Sequence, residues 1–314
     1  MPETDISSNR QAADRLGEWR ETERRSPRFE DLDLWSRRDV LEALLDGQQH
    51  ALHALWGALD SIEAAVEAAV GRLADSRGRL VYVGAGTSGR LAVLDGVELT
   101  PTFSWPRERL VYLFAGGGTD FSRAREGAED DAEAARQGIE AAGIGVQDVV
   151  IGIAASGTTL YTRVALQSAR VAGALTIALA NNPGSPLLED AEIGILLRTG
   201  PEVLAGSTRM AAGTSQKVAL NLFSTAVMIG LHKVYRGYMV DVQATNAKLV
   251  KRAENMVVAL SGCRPEAARA ALAQTGNSVK PAVLVVNGAT PDEATALLGR
   301  HKGNLRAALN DVPA

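Results

Sequence analysis

Two short loops rich in glycine and hydroxyl side chains, together with two glutamates, are the residues of this sequence best suited to chemistry. The first loop reads GAGTSG at 84–89 and the second reads AASGTT at 154–159. Serine and threonine hydroxyls, with backbone N–H groups that glycine leaves accessible, can hold a phosphate group without a lysine or a metal ion. Glu98 and Glu129 could supply and remove protons. The pattern favours acid–base chemistry on a small phosphorylated molecule.

The first loop also fits other phosphate-binding patterns, and neighbouring residues argue against them. Its glycines match the G-x-G-x-x-G fingerprint of dinucleotide sites. That fingerprint expects an acidic residue at the end of the second strand, where this chain reads FAGGGTD and offers only the later Asp120. A Walker loop would place Lys and then Ser or Thr after Gly89, but Arg90 and Leu91 follow. A plain tight turn remains the alternative to a small phosphorylated ligand.

The regular elements that must position these loops can be predicted from the sequence. Five short runs rich in β-branched residues lie near residues 80, 110, 149, 175 and 193 and alternate with helix-like stretches. The alternation predicts an α/β fold: a doubly wound, mainly parallel five-stranded sheet with helices on both faces. Both loops then follow strands, where open sheets bind ligands. The predicted ligand contacts in the loops are Gly86, Thr87, Ser88, Ser156, Gly157, Thr158 and Thr159.

The sequence predicts three segments along the chain. Residues 1–54 form a charged, partly helical segment, residues 55–245 the sheet domain, and residues 246–314 a small helical subdomain. A further stretch rich in glycine and hydroxyls, GPEVLAGSTRMAAGTSQK at 200–217, precedes a long predicted helix. On its own this stretch is typical of a helix entry capped by Ser207 or Thr208.

Helical periodicity predicts the surroundings of the two glutamates. Leu91, Leu94 and Glu98 fall on one stripe, which places Glu98 on the apolar face of its helix. A buried ion pair is the structural alternative for Glu98. A predicted helix with an inward stripe from Phe121 to Ile139 carries Glu129 on the flank of that stripe, where it could reach a cleft or remain solvated.

Composition sets the broad class of the protein. The chain has 314 residues, a formal net charge of −4 and a single cysteine, Cys263. This charge does not favour nucleic acid or an anionic membrane as a partner, and one cysteine forms no internal disulfide. No stretch resembles a secretory signal or a membrane span, so we expect a cytoplasmic protein. The four histidines lack metal-binding spacing, and we expect no metal or other cofactor.

Several motifs, in their order along the chain, resemble those of the N-acetylmuramic acid 6-phosphate etherases. This family belongs to the sugar isomerase (SIS) superfamily, which also includes glucokinase regulatory protein. The motifs are VYVGAGTSGRLAVLDGVELTPTF, EGAEDD, GIAASGTT, NNPGS, GPEVLAGSTRMAAGTSQK and MVDVQATNAKL. The resemblance covers about residues 20–314 and is most specific in the GPE to GTSQK block. It implies a SIS-type fold and a homodimer, and it makes Lys302 and Arg306 candidates for closing over the site.

The resemblance also implies a reaction and the residues that carry it. The family cleaves the D-lactyl ether of N-acetylmuramic acid 6-phosphate to N-acetylglucosamine 6-phosphate and D-lactate, without a cofactor, in cell-wall amino-sugar recycling. Glu98 matches the general acid and Glu129 the general base. The resemblance implies substrate contacts for the loop residues named above and adds Glu202 and Ser207 as further candidates.

The chain departs from the family pattern close to these motifs. Leu99 and Thr100 replace Cys-Pro, Thr158 replaces a basic residue, and Ala211 replaces a lysine. Ser26 stands at the asparagine of the family's T-E-x-x-Asn motif. These changes leave two other functions open: a sugar-phosphate-binding regulator without catalysis, and an aldose–ketose isomerase of the same superfamily.

Overall fold

The described part of the chain forms two compact units. The computed structural model describes residues 20–75, 77–117, 127–242, 244 and 246–312. One unit comprises the residues up to Asp95 together with Leu110–Phe223, and the second comprises Gly96–Arg109 and Ser224–Ala314. The segment boundaries predicted at residues 54 and 245 stay a prediction.

The first unit is built on a five-stranded sheet in which every pair of neighbouring strands is parallel. The order is β2-β1-β3-β4-β5, and Val81 of the central region lies in register with both Val111 and Val150. The predicted doubly wound parallel sheet is therefore confirmed. The strands are β1 (Leu80–Gly84), β2 (Leu110–Phe114), β3 (Val149–Ile153), β4 (Leu175–Ala180) and β5 (Ile193–Leu196).

Helices cover both faces of this sheet because its strands are apolar on both sides. Val81, Val83 and Val150 point into a core that includes Ile139 and Leu166 of two helices, while another helix contacts β3, β4 and β5. In chain order the helices that lie in or begin in the first unit are α1 (Arg37–Trp56), α2 (Leu59–Leu73), α3 (Gly86–Phe103), α4 (Ala132–Ala141), α5 (Leu160–Val171), α6 (Pro186–Asp190) and α7 (Ala211–Gly230). Helices α3 and α7 end within the second unit.

The predicted helix that carries Glu129 is wrong at residues 127–131. Residues 118–126, which include Phe121, lie outside the described residues. Gly127 is left-handed with φ +71°, and Glu129 lies in a single 3-10 turn, Ala128–Asp130, rather than in a helix. Helix α4 begins only after Asp131, whose carboxylate accepts from the Ala134 N–H at 2.9 Å. The cap fixes the start of α4 and leaves Glu129 on the preceding turn.

The second unit is mainly helical, which confirms the predicted C-terminal helices. A buried ammonium, that of Lys280, donates to Asp241 at 2.9 Å, and burial lowers the pKa of Lys280. The candidate Arg306 stacks over the Tyr235 ring at 5.0 Å. The elements that lie wholly in this unit are β6 (Val234–Tyr235), β7 (Tyr238–Met239), α8 (Ala247–Ser261), α9 (Pro265–Gln274), α10 (Val279–Val286), α11 (Pro291–Arg300) and α12 (Leu305–Asn310).

Candidate functional site

A polar cavity of about 560 Å³ lies at the carboxyl ends of β1 and β3 in the first unit. It joins the two loops that the sequence singles out with the turn that carries Glu129. The edge of a parallel sheet where strands end and helices begin collects backbone N–H groups, so the cavity lies where ligands bind in this kind of fold. Its described lining residues are Arg20, Glu23, Ala85, Gly86, Thr87, Ser88, Glu129, Asp130, Ala154, Ala155, Ser156, Thr158, Thr159 and Thr208.

The first loop brings the start of α3 against the sheet. A Cβ on Gly84 would lie 2.8 Å from the Gly89 Cα, and one on Gly89 would lie 2.6 Å from the Phe114 ring. Two glycines are therefore required for this close approach of strand and helix. Thr87 and Ser88 lie in the first turn of α3, where backbone N–H groups lack helical partners and the helix dipole is positive. Both residues line the cavity.

The second loop is held by hydrogen bonds among its own side chains. The Thr158 N–H and Oγ1–H donate to the Ser156 Oγ at 3.2 and 3.1 Å. Gly157 is left-handed with φ +68°, and a Cβ there would lie 2.2 Å from the Oγ of buried Ser185. This turn directs Ser156, Thr158 and Thr159 into the cavity while Gly157 faces the interior.

An N-terminal segment that the sequence analysis did not place in the site completes the cavity. Thr22 and Asn182 are fully buried, and the Asn182 amide donates to the Thr22 Oγ1 at 3.0 Å while its oxygen accepts from the Thr22 N–H at 3.2 Å. The same amide donates to the Ala155 carbonyl at 2.9 Å, which joins the segment to the second loop. Arg20 and Glu23, on either side of Thr22, line the cavity as a result.

The segment has a second attachment near the same point. The Arg198 guanidinium donates to both carboxylate oxygens of Glu21, with an Nη2–Oε1 distance of 2.6 Å, and this contact lowers the pKa of Glu21. The Gly206 N–H also donates to the Thr22 carbonyl at 3.0 Å. The only sequence signal for this wall of the cavity was the Thr22-Glu23 pair of the family motif.

Charge is unevenly distributed in the cavity. Among the described lining residues, Arg20 is the basic side chain and Glu23, Glu129 and Asp130 are the acidic ones. Glu129 is exposed, so its carboxylate is open to a ligand that enters from solvent. The hydroxyls and N–H groups of the loops are the donors that this cavity offers a phosphate, because carboxylates repel it.

The predicted burial of Glu98 is wrong. Glu98 belongs to the second unit, and its side chain is exposed, as are Leu94 and Val97 on the same helix. The buried positions of α3 include Ala92, Asp95 and Leu99, one residue out of step with the predicted stripe. The physical reason is a polar residue on the inner face: the Asp95 carboxylate accepts from the Tyr82 hydroxyl at 2.8 Å and from the Asn221 amide at 2.6 Å. Burial, reinforced by this carboxylate, raises the pKa of Tyr82.

Glu202 and Ser207 are not among the described residues that line the cavity, and their predicted substrate contacts stay a prediction. The Glu202 carboxylate is buried and accepts from the Ala211 and Ala212 N–H groups, each at 2.9 Å. It therefore caps the start of α7, and burial raises the pKa of Glu202. Ser207 lies in a turn, and its carbonyl accepts a hydrogen bond from the Met210 N–H at 3.1 Å. From the glycine- and hydroxyl-rich stretch at 200–217, Thr208 is among the described residues that line the cavity.

Replacing Glu202 with alanine is expected to lower the free energy of unfolding by about 2–4 kcal/mol, because two buried N–H groups lose their acceptors. Urea unfolding followed by circular dichroism measures the change. Glu192→Ala removes an exposed carboxylate from the same unit and is the matched control, with an expected change within about 0.5 kcal/mol. A Glu202→Ala loss no larger than that of the control would contradict the capping role.

Comparisons with known proteins match the sheet and most of the chain. The family model of the glucokinase regulatory protein N-terminal SIS domain matches residues 61–170, and that of the SIS domain matches residues 131–226. An N-acetylmuramic acid 6-phosphate etherase of Deinococcus radiodurans is 50% identical over 93% of this chain and 96% of its own length. This chain belongs to the N-acetylmuramic acid 6-phosphate etherase family.

Other etherases agree with that membership. The Cronobacter sakazakii etherase is 45% identical over 92% of this chain and 97% of its own length. The Mesorhizobium japonicum etherase is 45% identical over 93% of this chain and 95% of its own length.

The described residues of this chain include no cluster of three or more side chains able to hold a metal ion. None of the described helices combines the length and the apolar character needed to cross a bilayer.

Proposed function

We propose that this protein is a carbon–oxygen lyase that cleaves the D-lactyl ether of N-acetylmuramic acid 6-phosphate to N-acetylglucosamine 6-phosphate and D-lactate. The observation that carries the proposal is one cavity that joins two hydroxyl-rich loops to an exposed carboxylate, that of Glu129. Membership of the etherase family supports the substrate. We place the reaction in cell-wall amino-sugar recycling, in the reducing cytoplasm of a cell, with a homodimer as the working form.

The loops are proposed to hold the sugar phosphate. The phosphate accepts from the first-turn N–H groups of α3 and from the hydroxyls of Thr87, Ser88 and Ser156. Thr158 and Thr159 also line the cavity and supply further hydroxyls for phosphate or sugar oxygens. Thr158 stands where relatives were expected to carry a basic residue, and its bonds to Ser156 stiffen the loop instead of adding charge.

The reaction needs one base and one acid. In the ring-opened sugar the C2 proton is acidic because it lies next to the C1 aldehyde, and Glu129 removes it as the general base. The C3–O bond then breaks, the C2–C3 double bond forms, and the departing lactate oxygen takes a proton. Water adds across the double bond, with its hydroxyl on C3 and its proton on C2. Glu98 is the proposed proton donor to lactate on the strength of the family resemblance.

Incubation with N-acetylmuramic acid 6-phosphate in deuterated water tests this proposal. The expected products are D-lactate and N-acetylglucosamine 6-phosphate that carries deuterium at C2. A ketose phosphate without lactate would identify an isomerase instead. Tight binding of the sugar phosphate with neither C2 exchange nor lactate would identify a regulator without catalysis.

Arg20 is proposed to recognise the lactyl carboxylate. The substrate has two anionic groups, and the loops account for its phosphate, which leaves the carboxylate that distinguishes it from N-acetylglucosamine 6-phosphate. Arg20 is the basic side chain among the described lining residues, and guanidinium is well matched to carboxylate. Its position depends on the buried bonds between Thr22 and Asn182.

Arg20→Met is expected to raise the KM for N-acetylmuramic acid 6-phosphate about 10- to 100-fold, because a charge-assisted hydrogen bond is lost. The Kd of N-acetylglucosamine 6-phosphate, which lacks the carboxylate, should stay within about twofold. Steady-state kinetics and calorimetry give the two numbers. Arg25→Met, which removes an exposed arginine paired with Glu30, is the matched control. An equal loss for both ligands would assign Arg20 to the phosphate instead.

A further inference from the structure

The proposed elimination starts from the ring-opened sugar, whereas an amino-sugar 6-phosphate in solution is mostly a closed hemiacetal. In the closed form C2 has no aldehyde beside it, so its proton is not acidic. Opening the ring needs a base for the hydroxyl on C1 and an acid for the ring oxygen. Glu23 is an acidic side chain of the cavity that takes no part in the elimination.

The carboxylate of Glu23 lies against a glycine of the 200–217 stretch. A Cβ on Gly206 would lie 2.9 Å from the Glu23 Oε2, so the glycine leaves room for that oxygen. The Gly206 N–H donates to the Thr22 carbonyl at 3.0 Å, which fixes the backbone next to Glu23. The side chain of Glu23 is exposed, although its position at the cavity is set by these contacts. It is therefore a carboxylate that a ligand entering from solvent can reach.

Glu23 lies one turn from Arg20, and both line the cavity. The Glu23 N–H donates to the Arg20 carbonyl at 3.1 Å and closes a 3-10 turn, in which Thr22 between them is buried. Residues three apart in such a turn are about 6 Å apart along its axis, which is comparable to the width of a pyranose ring. A sugar whose lactyl carboxylate is bound by Arg20 can therefore present its C1 end to Glu23.

The size of the cavity places one ligand between these groups. Its volume of about 560 Å³ is in the range that holds a single small molecule. Glu129 comes from the turn before α4, whereas Glu23 comes from the N-terminal segment, so the two carboxylates approach the ligand from different elements. One ligand is thus offered two separate carboxylates, and the proton transfers at C1 and at C2 need not share one.

We propose that Glu23 is a catalytic residue that opens the sugar ring, an inference that rests on the proposed function. One carboxylate oxygen takes the proton of the C1 hydroxyl, and a C1 carbonyl forms as the bond from C1 to the ring oxygen breaks. The ring oxygen then takes that proton from the same carboxyl group. The carboxylate is restored, and no proton is gained or lost. A single group can serve both oxygens because both are bonded to C1.

Exchange between the two anomers of N-acetylglucosamine 6-phosphate tests ring opening apart from lactate release, because the anomers interconvert through the open chain. Exchange NMR of the sugar with the full-length protein measures the rate. Wild type and Glu129→Gln are expected to accelerate the exchange, and Glu23→Gln to lower the catalysed rate about 10²–10⁴-fold. Calorimetry should give a Kd for this sugar within about twofold of wild type. Glu30→Gln, which alters an exposed carboxylate of the same segment, is the matched control.

Gly206→Ala tests the position of the carboxylate without changing Glu23 itself. The added Cβ displaces the Glu23 Oε2, so anomer exchange should fall at least about 10-fold. Gly200→Ala is the matched control: Gly200 has φ +68° against +74° for Gly206, and a Cβ there would meet nothing within 4 Å. Both variants should lose similar free energy of unfolding in urea, but Gly200→Ala should keep the wild-type exchange rate.

The outcomes separate this inference from the proposed function. A wild-type exchange rate in Glu23→Gln overturns the inference, and so does a wild type that releases lactate without accelerating anomer exchange. Anomer exchange that depends on Glu23, in a protein that releases no lactate, would support ring opening by Glu23 and overturn the proposed function. Equal exchange rates in Gly200→Ala and Gly206→Ala would overturn the assigned position of the carboxylate.

Discussion

Glu129→Gln is expected to lower kcat about 10²–10⁴-fold, because the proposed base can no longer accept the C2 proton. Glutamine keeps the size of the side chain, and Glu129 lies on an exposed turn, so folding should be unchanged. Binding should also be kept, since the phosphate contacts are assigned to the loops. The measurements are lactate release and deuterium exchange at C2, and both should fall together.

Two comparison variants make this result specific. Glu133→Gln alters an exposed carboxylate in the first turn of α4 and should retain wild-type turnover. Glu98→Gln should slow lactate release and yet retain C2 exchange, because a donor to the leaving group acts after the proton is removed. Full C2 exchange in Glu129→Gln would show that another group is the base. Loss of deuterium exchange at C2 in Glu98→Gln would indicate that Glu98 is the base and Glu129 the acid.

Gly157→Ala is expected to lower the free energy of unfolding by about 2–5 kcal/mol. The left-handed φ of +68° disfavours any residue with a Cβ, and that Cβ would lie 2.2 Å from the Ser185 Oγ. Because Ser185 is fully buried, the second loop must move to relieve the contact. We therefore expect the KM for the sugar phosphate to rise as well, since Ser156 and Thr158 flank this position.

Gly184→Ala separates the two causes. Gly184 has nearly the same φ, +67°, but a Cβ there would meet nothing within 4 Å. It should lose about 1–2 kcal/mol from the backbone conformation alone. Urea unfolding of both variants gives the difference, which measures the collision with Ser185. Equal losses of unfolding free energy in the two variants would mean that the second loop relieves the contact with Ser185 at no cost in free energy.

The fold was predictable because its signals are local. Each strand is a short apolar run that includes β-branched residues. The loops that follow β1 and β3 are recognisable by their glycine, serine and threonine residues. Thr87, Ser88 and Ser156 meet in one cavity simply because parallel strands end at the same edge. Such inferences need only the order of elements along the chain.

The errors arose where a polar side chain takes an inward position. The stripe that placed Glu98 inside assumed that leucine is buried and aspartate exposed, whereas α3 buries Asp95 and exposes Leu94. Asp95 can be buried because Tyr82 and Asn221 donate to it, and Asn221 lies far away in sequence. The capping role of Glu202 was not predicted for a related reason: the N–H groups that donate to its carboxylate, at the start of α7, come close to it only in the folded chain.

The attachment of Thr22 to Asn182 has a consequence for how the protein is made. The two residues are 160 positions apart, yet their hydrogen bonds hold Arg20 and Glu23 at the wall of the cavity. During synthesis the segment around Thr22 emerges before β4 and cannot dock until β4 and the residues after it have been made. Closing so long a loop is slow compared with forming a helix or adding a neighbouring strand. The cavity is therefore expected to gain binding activity late in folding, after the sheet itself has assembled.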